Sequence, residues 1–206
     1  IFRPRTIAVI GAGADPTKVG HIVLRNLIAA EFAGPIFPIH PQLPTVLGLQ
    51  AWPSVGSVPQ PVDLAIVCTP AAGVPDLVQQ CGASGVLGLV IVSAGFREVG
   101  AAGRDLEAQV QTAAARFPGL RILGPNCLGA MVPGSRLNAS FAAGMTPPGR
   151  IAFISQSGAL CTAVLDWARG EGVGFSHFVS IGNMLDVGFA DLIDYLAADP
   201  ATDAIL

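Results

Sequence analysis

Short, unbroken apolar runs alternate along this chain with segments whose apolar residues recur every three or four positions. Ile7-Ala8-Val9-Ile10 is the first run; after the glycine-bearing loop Gly11 to Gly20, residues Ile22, Val23, Leu27 and Ile28 mark one face of a helix over 21–30. A continuous apolar run suits a strand buried on both faces of a parallel sheet. The pattern predicts further strands at 36–39, 62–68, 86–92 and 121–123, and helices at about 74–81 and 101–117. In the last helix Leu106, Val110 and Ala114 share a side and charge takes the other. Strands alternating with helices predict an α/β, doubly wound parallel sheet whose right-handed crossovers gather the strand ends at one edge. The loops after Ile10, Ile39, Cys68, Val92 and Leu123 should converge there.

Periodicity lapses where Pro133, Gly134, Pro147, Pro148 and Gly149 punctuate the chain. The expected division is a first domain over 1–125, a connecting segment over 126–149, and a second α/β unit over 150–206. That second unit reads as strand 151–154, loop Ser155-Gln156-Ser157-Gly158, helix 159–169, strand 175–181, helix 189–198, and the opening of a strand at Ala204-Ile205-Leu206. The pattern breaks off mid-unit, so the second domain is expected to be only partly present.

Composition removes several function classes. Half of the residues are hydrophobic and mean hydropathy is +0.60, yet no stretch approaches the ~20 apolar residues that span a bilayer. A buried parallel sheet accounts for the excess, and Ile1-Phe2-Arg3-Pro4-Arg5 lacks the pattern of a secretory leader, so a cytoplasmic protein is expected. The net charge is −3, and the basic residues, ten Arg and the single Lys18, are scattered, which argues against a nucleic-acid surface. Cys68, Cys81, Cys127 and Cys161 lie far apart, and three histidines have no ligand spacing; buried reduced thiols and no metal site are expected.

The chemistry gathers at two strand–loop–helix junctions. In the first loop, glycines let backbone approach a ligand, and the following helix start offers free N–H groups and partial positive charge to phosphate. Lys18 could meet such a phosphate. The loop misses the dinucleotide fingerprint, because Pro16 stands where the third glycine would be, and His40 closes the second strand where an NAD site has Asp or Glu. NAD is therefore the weaker ligand. In the second loop, Ser155 to Gly158 reads equally as a helix cap and as an anion site. No Gly-x-Ser-x-Gly elbow is present, so serine hydrolysis has no support. Asp191 and Asp194 read as a solvated helix face, and His177 as structural.

Taken together, Ile7-Ala-Val-Ile-Gly-Ala-Gly with Pro16 and Gly20, Ser93-Ala-Gly-Phe, Gly124-Pro-Asn-Cys-Leu-Gly, Leu137-Asn-Ala-Ser-Phe, Ser155-Gln-Ser-Gly-Ala and Gly182-Asn-Met-Leu-Asp-Val resemble the NDP-forming acyl-CoA synthetases. These are the acetate–CoA ligase (ADP-forming) branch of the succinyl-CoA synthetase superfamily. Val46-Leu-Gly-Leu-Gln-Ala-Trp-Pro and Asp191-Leu-Ile-Asp-Tyr-Leu look closest to the bacterial members fused to a GNAT acetyltransferase domain.

The resemblance implies a Rossmann-like CoA-binding domain followed by the first part of a flavodoxin-like domain. Gly11, Ala12, Gly13, Pro16, Lys18, Val19 and Gly20 would hold CoA phosphates. Gln42, where many relatives carry lysine, would flank the adenosine end with Thr69 and Pro70, and Ala94, Gly95, Phe96 and Asn126 would line the pantetheine and thioester end. Ser155, Gln156, Ser157 and Gly158 would stabilise a phosphoryl group. The implied cofactor is CoA or acetyl-CoA, with ADP, ATP and Mg handled by an ATP-grasp domain or subunit of the parent protein; a homo-oligomer is compatible. The phosphorylated histidine of the family would lie beyond Leu206, so no catalytic residue is expected in this chain. The parent would be either an active acyl-CoA synthetase or a lysine acetyltransferase whose synthetase module senses acyl-CoA.

Overall fold

The computed structural model describes residues 1–206. The first half carries β1 (Ile7–Ile10), α1 (Val19–Ala29), β2 (Ile36–Ile39), a small hairpin of β3 (Thr45–Val46) and β4 (Leu49–Gln50), then β5 (Leu64–Val67), α2 (Val74–Ala83), β6 (Gly88–Ile91), α3 (Ala101–Ala114) and β7 (Arg121–Leu123). Five of these strands form an all-parallel sheet in the order β2-β1-β5-β6-β7. The chain reverses its direction of travel across the sheet between β1 and β5, which makes that pair the topological switch point where open α/β sheets bind ligands.

The second half contributes β8 (Gly129–Val132), β9 (Leu137–Ser140), β10 (Pro148–Ser155), α4 (Gly158–Gly170), β11 (Phe175–Ser180), α5 (Phe189–Ala197) and β12 (Ala204–Ile205). They build a second sheet in the order β12-β10-β11-β8-β9, parallel among the first three and antiparallel through β8 and β9. Residues 126–149, where no periodicity appears in sequence, thus contain two strands of this sheet. Gly129-Ala-Met-Val and Leu137-Asn-Ala-Ser are buried throughout, so neither has the apolar–polar alternation that would mark it. The strand expected at 151–154 likewise extends over Pro148–Ser155.

Strand period sorts the core into layers. Ala8, Ile10, Ala65, Val67, Leu89 and Ile91 face α2 and α3, whereas Ile7, Val9, Leu64, Ile66 and Val90 face Val23, Leu24 and Leu27 of α1. The same cluster continues into Ala130, Val132, Leu137, Ala139, Ala152 and Ile154 of the second sheet and into Leu192 and Leu196 of α5. On that sheet's far side Met131, Phe153 and Phe178 pack on Cys161, Leu165 and Ala168 of α4. Helices α1 and α5 therefore form a middle layer with a sheet on either side.

Polar contacts fix the two halves. The buried Asn26 of α1 donates both amide hydrogens, to the carbonyls of Ser140 (2.9 Å) and Ala142 (2.8 Å). Beyond β11, the N–H groups of Asn183, Leu185 and Val187 donate to the carbonyls of Pro125, Gly124 and Ile122, closing the β7 edge. Asp186 and Asp191 both pair with Arg121, at 2.9 and 2.8 Å, so Asp191 is tied across the seam rather than simply solvated. Asn26→Ala leaves two buried carbonyls without donors and should lower the unfolding free energy by about 2 kcal/mol. Chemical denaturation checks this, and an unchanged midpoint at unchanged slope would remove the clasp from the account.

Candidate functional site

The first loop is shaped by close backbone packing. Gly11 has a φ of +87°, and a Cβ on Gly20 would sit 2.1 Å from the Gly11 carbonyl oxygen, so only glycine lets α1 start this near β1. The buried His21 ring then places Nδ1 at 2.8 Å from the Gly13 carbonyl, which accepts its proton and pins the middle of the loop. Asp15 accepts from both the N–H and the hydroxyl of Thr17, and those bonds hold its carboxyl below the usual carboxylate range. Lys18 occupies the capping position of α1 without a side-chain cap and makes no ion pair within the chain. The first amides of α1 have no partner within the helix.

Both loops open onto one cavity of about 360 Å³. Val19, from the start of α1, and Gln156 and Gly158, from the start of α4, line it; Cys68, Ala94 and Asn126 come from the loops after β5, β6 and β7. Two helix N-termini thus point their partial positive charge at a space that lies beside the switch point. The tertiary structure makes this juxtaposition, since more than a hundred residues separate Val19 from Gln156.

The residues singled out in sequence fall into distinct places. Gly13 has open space in its Cβ direction, and Pro16 and Lys18 are exposed beside it. Ala12 is fully buried and Gly20 is closed against Gly11, so these two shape the loop from beneath. Thr69 packs its methyl group where a Gly11 Cβ would reach, at 2.9 Å, and its Oγ1 is buried without a hydrogen-bond partner. Pro70 is exposed. Gln42 lies in the exposed turn after β2, where the N–H groups of Gln42 and Leu43 donate to His40 Nδ1 (3.2 and 3.1 Å), so that nitrogen carries no proton. The Phe96 ring is buried in the core with α2 and α3. Ser157 caps α4 by accepting from Leu160 N–H (3.2 Å), and Ser155 Oγ accepts from Ser157 N–H (3.1 Å). In these bonds both hydroxyls act as acceptors, and of this loop Gln156 and Gly158 line the cavity.

A polar network beside the cavity escaped sequence reasoning. Glu98 Oε1 accepts from the N–H groups of Gly95 and Phe96, and its Oε2 accepts from Asn183 Nδ2 at 2.7 Å. Asn183 also donates to the buried Glu107 at 2.9 Å, and Arg97 donates to the Asn183 carbonyl. Glu98 thereby fills, from within the chain, the backbone amides that the loop after β6 could otherwise offer to an anion. The signal in sequence was Glu98 three residues after Gly95, a spacing that is meaningful only once the loop is folded. Burial alone would push the Glu98 carboxyl up; the hydrogen bonds from Asn183, Gly95 and Phe96 together outweigh it and hold the group below its ordinary value.

The two thiols that line the cavity supply no nucleophile. Burial pushes Cys127 up to about 12, and burial with the neighbouring Cys127 raises Cys68 to about 12 as well. Both stay protonated near neutral pH and act as small apolar groups.

Comparison with known proteins bears on this geometry. Residues 5–133 match the family described as a CoA binding domain. The chain belongs to that family. Residues 148–206 match the family described as a succinyl-CoA ligase like flavodoxin domain. Among curated relatives, the acetate–CoA ligase [ADP-forming] I of Archaeoglobus fulgidus is 43% identical over the whole of this chain and 30% of its own length. The acetate–CoA ligase [ADP-forming] II subunit alpha of Pyrococcus furiosus is 43% identical over 99% of this chain and 44% of its own. The structure of the Ca. Korarchaeum cryptofilum dinucleotide forming acetyl-coenzyme A synthetase 1, in complex with phosphate and ADP, superposes with a TM-score of 0.95 at 40% identity, over 99% of this chain and 43% of that one. The chain thus spans less than half the length of these relatives. Its fold is the Rossmann-like CoA-binding domain followed by flavodoxin-like strands and helices, and no helix is long and apolar enough to cross a membrane.

The two halves together offer what a phosphate-bearing ligand needs: an open glycine at Gly13, an unpaired lysine, the start of α1 and an orphaned hydroxyl at Thr69 from the CoA-binding domain, and the start of α4 from the second. Because Glu98 has a lowered folded-state pKa, its latch on Gly95 and Phe96 is complete above the ordinary glutamate value and is lost as pH falls through the lowered one. Amide exchange at Gly95 and Phe96 should accelerate over that acidic window ahead of core amides. Equal acceleration in Glu98→Gln and unmodified protein would show that the carboxylate is not the latch.

Proposed function

We propose that this chain is the CoA- and acyl-CoA-binding part of an ADP-forming acyl-CoA ligase. The whole enzyme would interconvert acyl-CoA, phosphate and ADP with carboxylate, CoA and ATP. The observation that carries this reading is the convergence of the α1 and α4 N-termini on one cavity at the switch point of the first sheet. In this reading Gly11, Ala12, Gly13, Pro16, Lys18, Val19 and Gly20 form the diphosphate cradle, with Gly13 and Lys18 in contact and Ala12 and Gly20 beneath. Thr69, Pro70 and Gln42 flank the nucleoside, and Ala94 and Asn126 border the pantetheine path, while Gly95 and the buried Phe96 hold that loop from the core side. Ser155, Gln156, Ser157 and Gly158 offer the start of α4 to a phosphoryl group.

CoA would supply the thiol on which the acyl group is carried. The chain's own part is to bind, to orient, and to keep its thiols Cys68 and Cys127 neutral beside that thioester. ADP, ATP and Mg would be handled by an ATP-grasp domain or subunit, as would the histidine step. Similarity to ligases and a ligase subunit along nearly its whole length favours this over an acyl-CoA-sensing module of a GNAT acetyltransferase. Four free cysteines fit the reducing cytoplasm.

Gly11→Val would clash with Thr69 and Cys68 and so confound folding with binding. Gly13→Val is the cleaner test, because its side chain would enter open space. Titration calorimetry should give CoA and acetyl-CoA binding to the unmodified chain, none with NAD, and at least about tenfold weaker CoA binding for Gly13→Val at an unchanged melting temperature. Saturating CoA, at about 100 times its dissociation constant, should add roughly 2.7 kcal/mol of stability. NAD binding in place of CoA would overturn the assignment.

A further inference from the structure

A second cavity, of about 560 Å³, lies along the other end of α1, between that helix and the connection from β9 to β10. Arg25 and Asn26 line it from the helix, Asn138 from β9, and Gly144 and Met145 from the connection. Six of the ten arginines in this chain hold carboxylates: Arg3, Arg5, Arg97, Arg121, Arg136 and Arg150. The other four, Arg25, Arg104, Arg116 and Arg169, have no such partner. Two of these four are near this cavity: Arg25 lines its wall, and Arg169 rests its guanidinium against the lining residue Gly144, where a Cβ would come within 3.0 Å of Cζ.

Asn138 supplies the second, independent observation. It is 3% exposed, and its Oδ1 accepts from Ser140 Oγ at 2.7 Å. Ser140 Oγ in turn accepts from Ala142 N–H and gives its proton to Asn138 Oδ1, an acceptor the proton would lose if the amide were reversed. The Asn138 NH₂ is left with no acceptor in the chain and faces the cavity. An unpartnered amide of the buried Asn138 and the unpaired Arg25 guanidinium in one cavity, with Arg169 against its wall at Gly144 and Ala29, Ala30 and Met145 alongside, are complementary to an oxyanion head on a short apolar body. A water-filled notch would explain the amide but not the gathering of two uncommitted arginines.

We propose that this cavity is a binding site for a small oxyanion, a carboxylate or phosphate, separate from the cavity at the α1 and α4 starts: the two share α1 and the β9–β10 connection but no lining residue. The proposal does not depend on the ligase reading. The probes are acetate, butyrate and inorganic phosphate, titrated into the isotopically labelled chain at constant ionic strength, with chloride as the control. The Asn138 side-chain amide pair should shift saturably with one or more of the three oxyanions, and the better binder between carboxylate and phosphate identifies the head group. Arg25→Gln and Arg169→Gln, both on the surface, should each weaken binding about tenfold without changing the melting temperature or CoA affinity. Asn138→Asp should abolish it, and because that substitution is buried, the two arginine variants keep the test decisive if it misfolds. No saturable shift at Asn138, or a shift that persists in the double arginine variant, would overturn the site.

Discussion

The constraint on which this molecule depends is that α1 must be buried on two sides at once. One face carries Val23, Leu24 and Leu27 into a core shared with the first sheet, and the same helix presents Asn26 to the carbonyls after β9. A helix so confined cannot slide to accommodate its loop, and the loop must fit the helix. Gly20 answers that requirement by letting the helix start against the Gly11 carbonyl, and His21 secures it through the Gly13 carbonyl. The position of the α1 N-terminus is therefore set by hydrophobic packing well away from any ligand.

The electrostatics of the cavity between the α1 and α4 starts follow from the same arrangement. Two helix starts supply positive potential without placing a buried cation in the space, which spares the site the desolvation cost of one. Lys18, next in sequence to the lining residue Val19, stands in solvent. The thiols within are kept neutral by burial, so the space has no competing negative charge. Glu98 shows the complementary device: a carboxylate of the chain itself takes the amides of Gly95 and Phe96, and Asn183, reaching back from the second half, holds that carboxylate in place. The second half of the chain thus shapes a loop of the first, just as β9 holds α1.

Much of the fold was legible because the buried parallel strands are uninterrupted apolar runs. Ile7–Ile10, Ile36–Ile39 and Arg121–Leu123 lie where the pattern puts them. The α1 helix begins two residues before the apolar periodicity does, since Val19 and Gly20 are set by the loop contact rather than by a repeating face. The strands β8 and β9 were illegible for a physical reason: buried on both faces, short, and built from small or polar residues whose partners are distant, they carry no local period. Asn138 and Ser140 read as loop residues until their hydrogen bonds are seen.

By itself the sequence determined the class of fold, the two glycine- and serine-bearing junctions, and a resemblance to CoA-dependent ligases, because strand burial, turn chemistry and helix starts are local properties written in consecutive residues. Only the tertiary structure decided that the two junctions face one cavity, that Gly20 closes against Gly11 while Gly13 opens outward, and that Arg25, Arg169 and Asn138 lie along one cavity. Those facts depend on pairs of residues far apart in the chain, and such pairs acquire meaning only when packing brings them within hydrogen-bond or van der Waals distance.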